Sequence, residues 1–186
     1  MDGEFTRRLI SVDSAIIASD VTFDLLKRAQ ENKVFKEADN LTFQTDDAEF
    51  LPFKDECLDF VCGVSILHHL DYRKALKECH RILKRNGELF FSEPNLLNPI
   101  TVTFFNIPWL RKKFGASPNE TALMRWKVAD CLKETGFREV KVFNNDFLFP
   151  WIPDCSIHLL EGIGKILEKT PLIKEISGSI ILYAKK

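Results

Sequence analysis

Two carboxylates close early apolar segments of this 186-residue chain, and both are placed to read a polar ligand edge. Asp20 ends the run VDSAIIASD, whose centre, residues 15–18, is short and apolar. An apolar run that stops in Ser and Asp predicts a fully buried parallel strand emerging into solvent at its carboxyl end. A carboxylate there can accept from both hydroxyls of a ribose, or can simply be a solvated helix-capping residue. Asp47 and Ala48 follow the segment LTFQT, in the acidic turn Asp46-Asp47-Ala48-Glu49. A carboxylate beside a backbone N–H can accept from an adenine amino group and donate to a ring nitrogen. Acidic turns are common, so neither position decides a function alone.

The elements that must hold these residues follow from periodicity. Thr22 is positioned to cap a helix with Asp24 in its first turn and an apolar face of Leu25, Leu26 and Ala29. LTFQT (41–45) and LDFVCGV (58–64) predict the second and third strands. Asp71 then caps a helix whose Ala75, Leu76, Cys79, Ile82 and Leu83 share one face of a 3.6-residue period. Lys84 and Arg85 read as its last turn and Asn86-Gly87 as its stop. A fourth strand, ELFFS (88–92), ends at Glu93-Pro94-Asn95. Beyond it come an apolar, proline-interrupted stretch (99–110), a helix over 126–135 closed by Gly136, and a strand over 139–144. The apolar FLFPWIP (147–153), a helix over 156–168 and a last strand over 179–184 complete the chain. Strand and helix alternating through short links predict an α/β sheet covered on both faces. Ligands of such sheets lie outside the carboxyl ends of the strands. The positions to read are therefore Asp20, Asp47-Ala48, residues 64–69 and Glu93-Pro94-Asn95.

Composition narrows the class. Lys and Arg total 26 against 27 Asp and Glu, a net charge of −1, which argues against a dedicated nucleic-acid binder. Hydrophobic residues make up 45%, enough for a core in a chain of this length without disulfide or metal staples. The 5 cysteines are odd in number and lack C-x-x-C spacing, so they read as small buried hydrophobes of a reducing, cytoplasmic protein, with no metal set. The N-terminus has basic residues without an apolar h-region, so it does not read as a signal peptide. No apolar stretch reaches the roughly 18 residues of a membrane-spanning helix.

Taken in order, IIASDVTFDLLKRA, FQTDDAEFLPFKDECLDFVCGVSILHHL and ALKECHRILKRNGELFFSEPN resemble class I S-adenosylmethionine-dependent methyltransferases. The match is to the small-molecule branch with the pattern D-A-x-x-L-P-F, F-D-x-V, L-H-H-L and L-K-P-G-G. It covers residues 3–95 well and continues more loosely through RWKVADCLKETGFREVKV. The resemblance implies a Rossmann-like sheet in a single domain, with residues 1–95 as the cofactor-binding half and 96–186 as substrate-covering elements and C-terminal strands. It implies that Asp20, with Val21, binds the ribose hydroxyls of S-adenosylmethionine, and that Asp47 and Ala48 hold the adenine. Gly63, Val64 and Ser65 would lie along the methionine part. His69 would face the reaction centre, or serve as a helix-entry histidine bonded to backbone. Glu93 and Asn95 would border the acceptor pocket, covered by Phe104, Trp109, Phe149 and Trp151. Those apolar positions suggest a small, apolar, lipid-like acceptor.

Two departures from the pattern stand out. L-K-P-G-G reads Leu83-Lys84-Arg85-Asn86-Gly87, a turn-compatible change. Gly3 falls where the last glycine of the family's glycine-rich loop would lie, and residues 4–10 read as the helix after it. The family's first strand, which belongs between the strands ending at Asp20 and Val64, is then missing. A sheet without it either pairs those two strands directly or leaves a groove, and its unpaired edges favour low stability and self-association. A methyltransferase is the first reading. The second is a truncated, non-catalytic interaction domain or incomplete gene product. A nicotinamide-dependent reductase would need G-x-G-x-x-G after the first strand, and that motif is not present.

Overall fold

The computed structural model describes residues 4–109, 123–146, 164, 167 and 170–186. They fall into two compact units, Met1–Pro52 and Phe53–Lys186.

The first unit contains α1 (Glu4–Leu9), β1 (Ile16–Asp20), α2 (Phe23–Glu31), α3 (Lys33–Lys36) and β2 (Leu41–Thr45). β1 and β2 pair in parallel, from Ile16 opposite Leu41 to Asp20 opposite Thr45. The side-chain amide of Asn40 donates to the carbonyls of Val12 and Ser14, both at 3.0 Å, and so fixes the entry to β1. Leu26, Ala29 and Phe35 are buried, with the Phe35 ring edge-on to Phe43 at 5.7 Å. Two details depart from expectation. β1 alternates in exposure, with Ile17 41% exposed, because a two-stranded ribbon does not cover both faces of its strands. The Thr22 side chain makes no capping bond; the Asp20 carboxylate turns the chain into α2 instead.

The second unit contains β3 (Leu58–Val64), a 3-10 turn (Leu67–His69), α4 (Tyr72–Ile82), β4 (Leu83–Pro94), α5 (Pro99–Asn106), α6 (Arg125–Thr135), β5 (Arg138–Asn145), a second 3-10 turn (Ile173–Ile176) and β6 (Ser179–Lys185). Its sheet has the order β3-β4-β6-β5. β3 and β4 are parallel, which requires the crossover that α4 provides. β6 enters antiparallel to both β4 and β5. Asp71 caps α4 by accepting from the Arg73 N–H, and Ala75, Leu76, Cys79 and Ile82 are buried. α4 ends at Ile82, earlier than the Lys84–Arg85 turn expected from sequence. Leu83 already pairs with Leu58, and residues 84–87 bulge out before the ladder resumes at Glu88. The core joins Leu76 and Cys79 of α4 to Leu89 and Phe91 of β4, Val128 and Leu132 of α6, and Ile180 and Leu182 of β6.

Among the described residues β1 pairs only with β2. Residues 147–153 and nearly all of the helix expected over 156–168 lie outside the described residues.

α6 ends on Gly136 in the left-handed conformation, at φ 106°, with its N–H on Lys133. A Cβ there would also stand 3.2 Å from His80 Nε2. Gly136→Ala should therefore lower unfolding free energy by about 1–2 kcal/mol, measured by denaturant titration, and Gly136→Asn should lose less.

Candidate functional site

In the first unit, parallel pairing delivers two acidic positions to one end of the ribbon. Asp20 closes β1, and its Oδ1 accepts from the Thr22 N–H at 2.7 Å. The Asp46 N–H donates to the Asp20 carbonyl at 3.2 Å, which draws the exit of β2 alongside. Asp47 is exposed, and its Oδ1 accepts from the Glu49 N–H at 2.9 Å, holding a tight turn closed by Phe50 N–H on the Asp47 carbonyl. Ala48 sits half-buried within that turn, and Val21 is exposed beside Asp20. Between them lies a residue that sequence reasoning passed over. Asp46 is buried; its Oδ1 accepts from Gln44 Nε2 at 2.9 Å, while its Oδ2 has no partner among the described residues. A buried acceptor left over is costly unless a donor arrives.

In the second unit the corresponding position is the exit of β3. Gly63 pairs with Phe91 in the ladder, and a Cβ on it would lie 2.5 Å from the Phe91 ring. The Phe91 ring and the Ile66 side chain occupy the space that a side chain at Gly63 would need. Val64 pairs with Ser92, and Ser65 turns into the left-handed region at φ 53° while its N–H still reaches the Ser92 carbonyl at 2.8 Å. The 3-10 turn then presents two adjacent histidines with opposite fates. His69 is exposed; His68 is 7% exposed, and its Nδ1 lies 2.8 Å from Glu93 Oε2. The two rings stack with centroids 3.9 Å apart.

Glu93 and Asn95, expected at the border of an acceptor pocket, are each 1% exposed and bonded into the frame. Glu93 accepts from the N–H groups of Ile66 and Leu67 at 2.9 and 2.8 Å. Asn95 donates to the carbonyls of Glu175 and Ser177 and accepts from the Leu97 N–H. The signal for both was present in the sequence. Leu89, Phe91, Glu93 and Asn95 share a period of two, so the last two continue the buried face of β4. Arg125 adds a two-bond contact to Glu175, at 3.0 and 2.9 Å.

Trp109 is 65% exposed just beyond α5. Phe104 belongs to α5, but its side chain, Gly3, Phe149 and Trp151 lie outside the described residues. Among the described residues no cluster of His, Cys, Asp and Glu is grouped to hold a metal ion.

Residues 2–91 match the family model described as a methyltransferase domain. An uncharacterized methyltransferase of Bacillus subtilis is 26% identical over 132 residues, spanning 69% of this chain and 51% of that protein. A demethylmenaquinone methyltransferase of Thermobifida fusca is 28% identical, over 67% of this chain and 55% of its own length. The chain thus spans about half the length of the curated relatives it matches. Among solved structures, an S-adenosylmethionine-dependent methyltransferase of Thermotoga maritima superposes with a TM-score of 0.69 at 20% identity. That alignment covers 100% of this chain and 77% of the other.

The thiols near this frame are unsuited to nucleophilic work. Burial pushes Cys62 up to about 11, and burial together with the Glu78 charge pushes Cys79 up to about 12. Because the thiolate is the reactive form, both should stay unmodified in the folded protein at neutral pH. Iodoacetamide labelling followed by mass spectrometry should find them labelled only after unfolding.

Proposed function

From residues 2–91 being a methyltransferase domain on the class I fold, we propose that this chain binds S-adenosylmethionine and transfers its methyl group to a small, apolar acceptor. The observation that carries the reading is the acidic end of the β1–β2 ribbon. Asp20 uses Oδ1 for its own turn, and Oδ2 is the atom offered to a ribose hydroxyl. Asp47 and the N–H of Ala48 are offered to the adenine edge. Asp46 supplies a buried acceptor oxygen lacking a donor, the kind of atom a nucleoside donor would satisfy. The missing side chain at Gly63 and the left-handed turn at Ser65 suit a segment whose backbone lies against the methionine moiety.

When bound, S-adenosylmethionine supplies an activated methyl on a sulfonium. What remains for the protein is to orient the two partners and exclude water. A proton acceptor is needed only for a protonated nucleophile, and the exposed His69 is the residue assigned to that task. The apolar acceptor is supported by Ile100, Val102, Ile107 and Trp109, all exposed on or next to α5. The name of the Thermobifida relative fits the same class.

Titration calorimetry with S-adenosylhomocysteine tests the reading. Asp20→Ala should weaken binding by roughly 1.5–3 kcal/mol, the range for hydrogen bonds to a charged group. Asp47→Ala should lose less, since adenine also stacks on apolar neighbours. Equal affinity of Asp20→Ala and the parent would remove the ribose assignment.

We also propose that the chain self-associates through strand edges. β1 pairs only with β2 and β3 only with β4 among the described residues, and Ile17 and Phe60 on them are 41% and 48% exposed. Light scattering coupled to size exclusion should find a mass that rises with concentration. Ile17→Lys should reduce that rise, and a concentration-independent monomer would refute the idea.

A further inference from the structure

We propose that Glu93 is a positioning residue that sets the conformation of residues 65–69 and the tautomer of His68, and through them the grip of this segment on the cofactor. The proposal rests on the cofactor reading above, which assigns residues 63–65 to the methionine end.

The geometry is a single carboxylate surrounded by donors. Glu93 Oε1 takes the N–H groups of Ile66 and Leu67, at 2.9 and 2.8 Å. Oε2 takes the N–H of His68 at 3.4 Å and faces His68 Nδ1 at 2.8 Å. Three successive backbone N–H groups aimed at one anion form a nest. They follow directly on Ser65, whose left-handed φ of 53° is unfavourable for a residue with a Cβ. The Ser65 N–H still belongs to the β3–β4 ladder, so the kink begins at the ladder's last bond. Removing the carboxylate would strand three donors directly after this left-handed residue.

The carboxylate also dictates a proton position. An ionised carboxylate only accepts, so His68 Nδ1 carries the hydrogen, and in the neutral ring Nε2 carries the lone pair. The His69 ring lies against that imidazole, with centroids 3.9 Å apart and planes tilted by 37°.

Glu93→Gln preserves shape and one acceptor oxygen, but its NH2 would face His68 donors. The imidazole then has to move its hydrogen to Nε2 so that Nδ1 can accept. In the 186-residue chain, two-bond 1H–15N correlation spectra at mildly alkaline pH read this directly. The parent should hold the Nδ1–H tautomer and Glu93→Gln the Nε2–H tautomer. Affinity for S-adenosylhomocysteine should fall by roughly twofold to 150-fold in that variant, the span of couplings between contacting residues. His68→Asn places an amide N–H where Nδ1–H stood and should bind within about twofold of the parent, whereas His68→Leu should not.

The parent is the control. If it does not bind S-adenosylhomocysteine, the cofactor reading fails. If it binds while Glu93→Gln keeps both the parent's tautomer and its affinity, the positioning role of Glu93 is overturned. Should Glu93→Gln not fold, the histidine pair decides: equal affinity of His68→Asn and His68→Leu overturns the proposal.

Discussion

Parallel pairing delivers the carboxyl ends of neighbouring strands to the same edge, and both units depend on it. In the first unit the ladder from Ile16–Leu41 to Asp20–Thr45 leaves Asp20 beside the turn that contains Asp46 and Asp47. In the second, the ladder from Phe60–Glu88 to Val64–Ser92 leaves Ser65 beside Glu93. No local propensity would bring Ser65 to Glu93, which lie far apart in sequence. The pairing does so because α4 carries the chain back to start β4 beside β3. An antiparallel arrangement would have put these two ends at opposite edges.

Much of this frame was legible because its signals are local. The runs LTFQT and LDFVCGV have the lengths and composition of strands, and the observed bounds of β2 and β3 coincide with them. Asp71 before an apolar face of 3.6-residue period fixed the start of α4, and Gly136 fixed the end of α6. What was not legible depends on tertiary pairing. Leu83 fits the helical face of α4 by period, yet its pairing with Leu58 takes it into β4. Propensity cannot resolve a residue that satisfies both patterns. Ile17 reads as fully buried because its neighbours are apolar, but burial needs a layer on each side of the strand.

The candidate site was legible in its positions and less so in its roles. Asp20, Asp47 and Ser65 stand at strand exits, as the alternation of elements demands. His68 and His69 are chemically identical neighbours, and only the turn separates one into the interior and the other to the surface. Glu93 was assigned to the border of an acceptor pocket by the family resemblance and by its place at the end of a strand. The period of β4 adds that its side chain is in phase with Leu89 and Phe91 and so continues the buried face. A carboxylate on the apolar face of a strand is itself a sign that donors converge there.

Those donors explain why the interior tolerates such a group. A buried charge with one partner is costly, because desolvation outweighs a single attraction. Glu93 instead meets three N–H groups and an imidazole, and hydrogen bonds to the charged form offset its lost hydration. The neighbouring buried polar residues follow the same logic. Asn95 and Asn98 donate to the carbonyls of Glu175, Ser177 and Ile176, satisfying acceptors at the ends of the second 3-10 turn. Of the six buried polar residues among those described, His68, Glu93, Asn95, Asn98 and Ser177 all lie at or next to the exit of β4, and only Asp46 lies elsewhere. Apolar packing fixes how the sheet is covered but is nearly indifferent to the direction a loop takes. Directional bonds are not, and concentrating them at one strand exit fixes the path of the segment that leaves β3. Asp46, the sixth, differs from these five in keeping an acceptor oxygen with no partner among the described residues. Two buried side-chain atoms have no partner among the described residues, Asp46 Oδ2 at the acidic end of the β1–β2 ribbon and Arg125 Nε beside Glu175, so directional bonding is nearly complete at the exit of β4 and open by one acceptor on the ribbon.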